Sequence, residues 1–142
     1  MSIHEAEPKD ALTISNLLGQ LGYPCSEEEA FQKIENYTKP SYKLFTAKKD
    51  HHVVGFIALH VYHQLHLPGP VGRITSFCVD EKVRGTGVGS ALLEVAERFF
   101  HDRGCIKIEV TSNKRRIKTH DYYLHRGYTE TSKHFVKIIG QH

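Results

Sequence analysis

The segment from 71 to 111 constrains the fold of this chain more than any other part of the sequence. VGRITSFCV (71–79) is typical of a strand, and three glycines follow it closely at Gly85, Gly87 and Gly89. Apolar residues at helical spacing then continue to about 103, and CIKIEVT (105–111) is again typical of a strand. This order of elements predicts two parallel neighbouring strands joined by a right-handed crossover.

The other segments add strands and helices around this unit. The patterns predict strands over 3–6, 42–47, 53–62, 71–79, 105–111 and 134–139, and helices over 8–18, 87–103 and 117–126. A capping box at Ser26 and Glu29 predicts a further helix, with the apolar stripe Ala30, Phe31, Ile34 and Tyr37. The chain should therefore form a single α/β domain over 1–142, with a mixed central sheet and helices on both faces.

Two of these helices have apolar residues that we expect to face the sheet. In the helix over 8–18 they are Leu12, Leu17 and Leu18. In the helix over 87–103 they are Val88, Leu92, Val95, Ala96 and Phe99.

Composition and charge are those of an ordinary globular domain. The chain has 142 residues, 39% hydrophobic and 25% charged, and a formal net charge of +3, which suits an anionic ligand but is too small to indicate nucleic acid. The N-terminus lacks a signal-peptide pattern and no apolar stretch reaches the length of a membrane span, so we expect a cytoplasmic protein without membrane contact. Cys25, Cys78 and Cys105 have no framework spacing, and we expect buried free thiols.

The glycine-rich turn fits neither of two well-known phosphate-binding motifs. No glycine–lysine pair follows at the distance that a P-loop requires, and the dinucleotide fingerprint would need glycine where Ser90 stands. Bare backbone N–H groups at a helix start nevertheless form a surface suited to phosphate, and Arg84 adds a positive charge beside it. The alternative is a tight turn in which the glycines only permit a positive φ.

RGTGVG (84–89), between TSFCV and SALL, resembles motif A of the GNAT superfamily of acetyl-CoA-dependent N-acetyltransferases. That motif is Arg or Gln, two residues, Gly, one residue, and Gly or Ala, and here it falls on Arg84, Gly87 and Gly89. YYLHRGY (122–128) resembles motif B of the same family, and the order of elements matches from residue 3 to about 139. The resemblance implies the GNAT fold, in which the strands on either side of the helix splay around the cofactor.

The resemblance also implies a set of residues that bind acetyl-CoA. Backbone groups of Phe77 and Val79 would hydrogen-bond the thioester and pantetheine, and the amides from Arg84 to Ser90 would hold the pyrophosphate. Asn113 occupies the place of the family's cofactor-contacting asparagine. The implied set is Phe77, Cys78, Val79, Arg84, Gly85, Thr86, Gly87, Val88, Gly89, Ser90 and Asn113.

Tyr123 matches the tyrosine that the family uses as general acid. An amine attacks the thioester, an oxyanion forms, and the departing thiolate of CoA needs a proton. The alternative for Tyr123 is a core aromatic residue on an amphipathic helix.

The resemblance gives less detail about the residues that would bind the acceptor amine. HVYHQLHLPGPVGRI and TSNKRRIKTHDYYLHRGY resemble the aminoalkylphosphonate N-acetyltransferases and their neighbours. The candidate acceptor-site residues are Thr75, Ser76, His66, Glu109, Arg116 and His120. Many family members have a carboxylate or histidine where Thr75 and Ser76 stand, and the phosphonate enzymes look acidic at Ser76. The general base is therefore left open between Glu109, His120, ordered water and an amine that arrives neutral.

Three other features have simpler interpretations than the chemistry they suggest. His60, His63 and His66 recur every three residues, but strand geometry separates them and no other ligand completes a metal site, so we expect none. KRRIK (114–118) has no interleaved aromatic residues and is interpreted as a solvated face or a partner for phosphates. Cys78 has no histidine and acid placed beside it by the sequence, and we expect packing instead of nucleophilic catalysis.

The sequence therefore predicts an N-acetyltransferase that moves acetyl from acetyl-CoA to a primary amine of a small molecule. The alternatives are a protein or peptide acetyltransferase, a non-catalytic acetyl-CoA-binding regulator and an RNA-binding module based on KRRIK. A homodimer is a common assembly in the family, and the resemblance allows one here.

Overall fold

The computed structural model describes residues 1–110, 117–131 and 135–140, with the backbone alone for 117–120. The chain divides into two compact units, Met1–Thr111 and Ser112–His142. The strands and the first three helices all belong to the first unit.

The elements lie close to their predicted positions. In chain order they are β1 (Ser2–Glu5), α1 (Ala11–Leu21), α2 (Glu27–Asn36), β2 (Tyr42–Lys49), β3 (His52–Tyr62), β4 (Val71–Val79), α3 (Val88–Asp102), β5 (Lys107–Val110) and α4 (Ile117–His125). Short 3-10 turns, Pro8–Asp10 and Glu81–Val83, precede α1 and the glycine-rich turn.

The five strands form one open, mixed sheet in the order β1-β2-β3-β4-β5. The first four pair antiparallel, whereas β4 and β5 are parallel neighbours joined by α3, as the sequence predicted. Among the described residues, this pairing joins 71–74 of β4 to 107–110 of β5, and β4 itself continues to Val79. The β3–β4 register shifts between Ala58 and Leu59, which leaves Thr75 as a bulged residue on β4.

Helices cover both faces of this sheet. On one face, α1 and α2 bury a cluster that includes Ile14, Ala30, Ile34, Phe56 and Cys78. On the other face, α3 lies so close that a Cβ built on Gly72 would meet the Phe100 ring at 2.4 Å. The mixed sheet with helices on both faces confirms the predicted fold class.

The predicted inward faces of the helices were partly wrong. In α1, Leu17 is buried but Leu12 is 56% exposed. In α3 the buried residues are Val88, Leu92, Leu93, Ala96 and Phe100, so Leu93 and Phe100 were missed. Val95 and Phe99 are half-buried, and the Phe99 ring packs edge-on against Phe45 of β2 at 6.2 Å between centroids. Phe100 is buried because its ring occupies the space above Gly72, where any side chain would collide with it.

Two further expectations need correction. All three cysteines are free, but only Cys78 is buried, while Cys25 and Cys105 are half-buried. The strand predicted over 134–139 is not formed at 135–139, where the chain pairs with no strand and Phe135, Val136, Ile138 and Ile139 are exposed. An alternating pattern favours a strand only where a neighbouring strand supplies the hydrogen bonds.

Candidate active site

The glycine-rich turn connects the end of β4 to the start of α3. Gly85 and Gly87 have φ of 82° and 91°, in the left-handed region, and a Cβ at either position would meet nothing within 4 Å. Positive φ is thus a real requirement here, and the space above both glycines is open. The Thr86 hydroxyl donates to the Val83 carbonyl at 2.5 Å, and Arg84 Nε donates to the Val79 carbonyl at 3.2 Å, which ties the turn to the strand.

The start of α3 has no cap of its own. Gly87 is the N-cap residue and, lacking a side chain, cannot accept from the first amides of the helix. The first turn of α3 also contains no acidic residue. The positive end of the helix dipole therefore lacks a side-chain cap and lies beside two glycines whose Cβ positions open into empty space, an arrangement that suits an anion.

The last residues of β4 lie beside this helix start. A Cβ built on Gly89 would be 3.5 Å from Val79 Cγ2 and 3.6 Å from Phe77 Cζ, so helix and strand are in contact here. Val88 is buried, Gly89 and Ser90 are half-buried, and 84–87 are exposed. Cys78 is buried with its thiol 3.4 Å from the Leu17 carbonyl, which supports the packing role predicted for it.

A polar group bridges β3 and β5 on the sheet face that α1 and α2 share. The Tyr62 hydroxyl donates to Glu109, and Lys107 Nζ lies 3.5 Å from the other oxygen of that carboxylate. Burial favours a higher pKa for Glu109, but the Tyr62 hydrogen bond, Lys107 and Arg73 outweigh it and hold that pKa below its ordinary value. Burial, followed by the hydrogen bond to Glu109, raises the pKa of Tyr62. Glu109 is thus a carboxylate at neutral pH.

Thr75 and Ser76 lie further along β4 than this group. Thr75 is exposed, and its Oγ1 is 2.8 Å from the Tyr37 hydroxyl at the end of α2. It also donates to the Ala58 carbonyl at 3.2 Å. Ser76 is half-buried and is the register partner of Ala58.

The three spaced histidines are separated in the structure. His60 is packed between Tyr42, at a ring distance of 4.2 Å, and Tyr62, at 5.6 Å. His63 and His66 are exposed in the connection between β3 and β4. Within 1–110, 117–131 and 135–140, no group of three or more His, Cys, Asp or Glu side chains could hold a metal ion.

Tyr123 lies on α4 in the second unit and is 6% exposed. Its ring makes edge contacts with Tyr122 at 5.6 Å and Tyr128 at 5.4 Å. Gly127, with φ of 89°, turns the chain so that the Tyr128 N–H donates to the Tyr123 carbonyl at 3.0 Å. The aromatic pair and glycine of the second motif therefore form one local unit at the end of α4.

Several predicted residues fall outside this description. Asn113 and Arg116 lie outside the described residues, as do the first three residues of KRRIK, and His120 is described by its backbone alone, within α4. In the part of the chain that is described, no helix is long and apolar enough to cross a membrane.

Two tyrosines near the candidate acceptor residues were missed by the sequence analysis. Tyr37 was predicted only as part of an apolar stripe, and Tyr62 only as the end of a strand. Their partners, Thr75 and Glu109, lie 38 and 47 positions away, so local patterns carry no signal of these contacts. A hydroxyl on an otherwise apolar stripe was the one available clue, because a half-buried Tyr O–H usually finds a partner.

Comparison with known proteins identifies the family. Residues 11–128 match the acetyltransferase (GNAT) family. The aminoalkylphosphonate N-acetyltransferase of Salmonella typhimurium is 32% identical over 104 residues, which are 73% of this chain and 68% of that protein. The aminoglycoside N(6′)-acetyltransferase type 1 of Stenotrophomonas maltophilia is 26% identical over 138 residues, covering 93% and 88% of the two chains.

A solved structure of an acetyltransferase has the same fold as this chain. A putative acetyltransferase from Agrobacterium tumefaciens superposes with a TM-score of 0.86 at 19% identity, over 98% of this chain and all of that one. The family match confirms the family resemblance noted in the sequence. The chain belongs to the GNAT acetyltransferase family and is an N-acetyltransferase.

Proposed function

We propose that this protein transfers the acetyl group of acetyl-CoA to a primary amine of a small-molecule acceptor, by direct attack of the amine on the thioester. The observation that carries the proposal is the start of α3, where Gly87 provides no side-chain cap and a Cβ on Gly85 or Gly87 would enter open space. The two relatives named above act, by their names, on an aminoalkylphosphonate and an aminoglycoside, and both names describe small amines.

In this proposal the turn holds the pyrophosphate of acetyl-CoA. The amides from Arg84 to Ser90 donate to the phosphate oxygens, and the dipole of α3 favours the negative charge. Arg84 adds a cation at the exposed side of the turn. These donors are fixed by the fold before the ligand arrives, so binding costs little rearrangement.

The thioester then lies along the end of β4. Backbone groups of Phe77 and Val79, on either side of Cys78, hydrogen-bond pantetheine and the thioester carbonyl, where the oxyanion develops. Tyr123 protonates the departing thiolate, and Asn113 contacts the cofactor. Acetyl-CoA is a co-substrate that supplies the activated acetyl group, and no metal is required.

The acceptor enters over β4, from the side of Thr75 and Ser76. Glu109 is a weak candidate for the general base, because its depressed pKa makes its carboxylate a poor proton acceptor for an ammonium group. Three other routes to a neutral amine are left open. The amine can reach the site already neutral, or it can lose its proton to ordered water or to His120. His66 and Arg116 are further candidates for contacts with the rest of the acceptor.

Three alanine substitutions test the turn. Gly87→Ala places a methyl group on the open donor surface, and we expect acetyl-CoA to bind at least about tenfold more weakly by isothermal titration calorimetry. Gly22→Ala is the matched control for strain, because Gly22 has φ of 102° and equally open space at the end of α1. Both variants should lose about 1–2 kcal/mol of unfolding free energy, but only Gly87→Ala should lose affinity.

Gly89→Ala is the control for position within the turn. Its φ is not positive, the new Cβ makes only ordinary contacts, and the family pattern accepts alanine there. We expect acetyl-CoA affinity within about twofold of the wild-type value. Equal affinity of Gly87→Ala and wild type, or equal losses in Gly87→Ala and Gly22→Ala, would contradict a pyrophosphate site at this turn.

A further inference from the structure

Tyr37 is held at the end of α2 with its hydroxyl directed at β4. It is the C-cap residue of α2, and its N–H donates to the Ile34 carbonyl at 3.0 Å. Its half-buried ring packs edge-on against Tyr42 with 5.1 Å between centroids. Backbone and ring are thus both fixed, and the hydroxyl reaches Thr75 Oγ1 at 2.8 Å.

Thr75 is the bulged residue of β4. Ala58 pairs with Ser76 and Leu59 with Ile74, so Thr75 between them has no register partner on β3. Bulges of this kind redirect a side chain and are frequent beside active sites. The Thr75 hydroxyl points back to the Ala58 carbonyl, to which it donates at 3.2 Å.

These contacts fix the direction of a short hydrogen-bond chain. A carbonyl oxygen can only accept, so the single hydroxyl hydrogen of Thr75 is used on Ala58. Tyr37 must then donate its own hydrogen to Thr75. The lone pairs of the Tyr37 oxygen are left to accept a hydrogen bond, and donation to Thr75 strengthens them as acceptors through cooperativity.

An amine nucleophile requires such a group. Its N–H bonds can only donate, and a neighbour that also donated would compete for the lone pair that must attack the thioester. Thr75 is two residues from Phe77, which is about 7 Å along a strand. A ligand amine beside Tyr37 is therefore within reach of a thioester held at Phe77.

We infer that Tyr37 is an acceptor-binding residue that takes a hydrogen bond from the attacking amine and orients its lone pair toward the thioester, with Thr75 as the positioning residue that aims the Tyr37 hydroxyl. This inference rests on the proposed function. It assigns the amine a partner that is neither acid nor base, since the only proton of the Tyr37 hydroxyl is committed to Thr75.

Steady-state kinetics with the amine varied at saturating acetyl-CoA test this role. Tyr37→Phe keeps the ring packing and removes the oxygen, and we expect kcat/KM for the amine to fall about 10- to 100-fold, with KM for acetyl-CoA and Tm unchanged. Thr75→Val should cause a smaller loss of about 3- to 10-fold, because the Tyr37 hydroxyl remains but is no longer aimed. Tyr42→Phe removes a hydroxyl from the same aromatic group and should leave kcat/KM unchanged.

The pH profile separates orientation from proton transfer. If Tyr37 orients the amine, the profile of kcat/KM for Tyr37→Phe keeps its shape and is lower at every pH. A shifted or missing limb would overturn the inference in favour of a base. Wild-type rates in both Tyr37→Phe and Thr75→Val would overturn the inference about Tyr37 and leave the proposed function intact. A wild-type protein that acetylates no amine would overturn both the proposed function and this inference.

Discussion

The helices α2 and α3 begin in opposite ways, although both have well-formed first turns. The Ser26 side chain accepts from the Glu29 N–H at 3.0 Å, and Glu29 in turn accepts from the Ser26 N–H at 3.0 Å. Glu27, Glu28 and Glu29 place three carboxylates in the first turn of α2. The hydrogen bonds with Ser26, backbone first, lower the pKa of Glu29, so it stays charged.

At α3 the equivalent positions are Gly87 and Ser90, and neither carries a charge. One helix therefore supplies its own cap and negative charge, whereas the other has neither a side-chain cap nor a carboxylate in its first turn. The same chain thus has a full cap at the start of α2 and no side-chain cap at the start of α3. The difference supports the pyrophosphate site that we propose at the start of α3.

The largest effect is expected when α3 is made to resemble α2. Ser90→Glu places a carboxylate at the position that Glu29 holds in α2, the third residue of the helix. The new charge should stabilise the unliganded protein by about 0.3–1 kcal/mol through the helix dipole. It should also repel pyrophosphate and weaken acetyl-CoA binding at least about tenfold, as measured by calorimetry.

Ser90→Gln is the control for the size of the new side chain and should retain most of the affinity. A Ser90→Glu variant that binds acetyl-CoA as tightly as Ser90→Gln would break the comparison, because the start of α3 would then not be the anion site.

A smaller effect is expected from the opposite change in α2. Ser26→Ala removes the cap, and the unfolding free energy should fall by about 1 kcal/mol in urea denaturation. Acetyl-CoA affinity should not change, because the start of α2 serves only its own helix. A loss of affinity comparable to that of Gly87→Ala would show that the two helix starts are not independent.

Local signals were sufficient for much of this fold. The Ser26–Glu29 capping box lies within one turn of helix, and the strand–glycine–helix–strand unit is marked by its own residues. The packed face of α3 was harder, because VGSALLEVAERFF offers two apolar stripes and the choice depends on Gly72, 28 residues before Phe100. The strand expected over 134–139 failed at 135–139 for the related reason that strands need distant partners.

The candidate site divides in the same way. The proposed cofactor side is a contiguous motif, so Arg84, Gly87 and Gly89 could be named from the sequence. The proposed acceptor side draws on residues of α2, β3, β4 and β5. Its Tyr37–Thr75 and Tyr62–Glu109 contacts depend on a bulge and a register that no local pattern reveals. A contiguous motif can be predicted from the sequence. Contacts between side chains on different strands can be predicted only once the register of the sheet is known.

Release of free thiol from acetyl-CoA by the purified protein, measured against a panel of amines, tests the central claim most directly. The panel should contain aminoalkylphosphonates, aminoglycosides, polyamines, amino acids and short peptides. We expect rapid release with at least one small amine, slowed about a hundredfold or more in Tyr123→Phe. Release with peptides alone, or none with any amine despite tight acetyl-CoA binding, would contradict a small-molecule N-acetyltransferase.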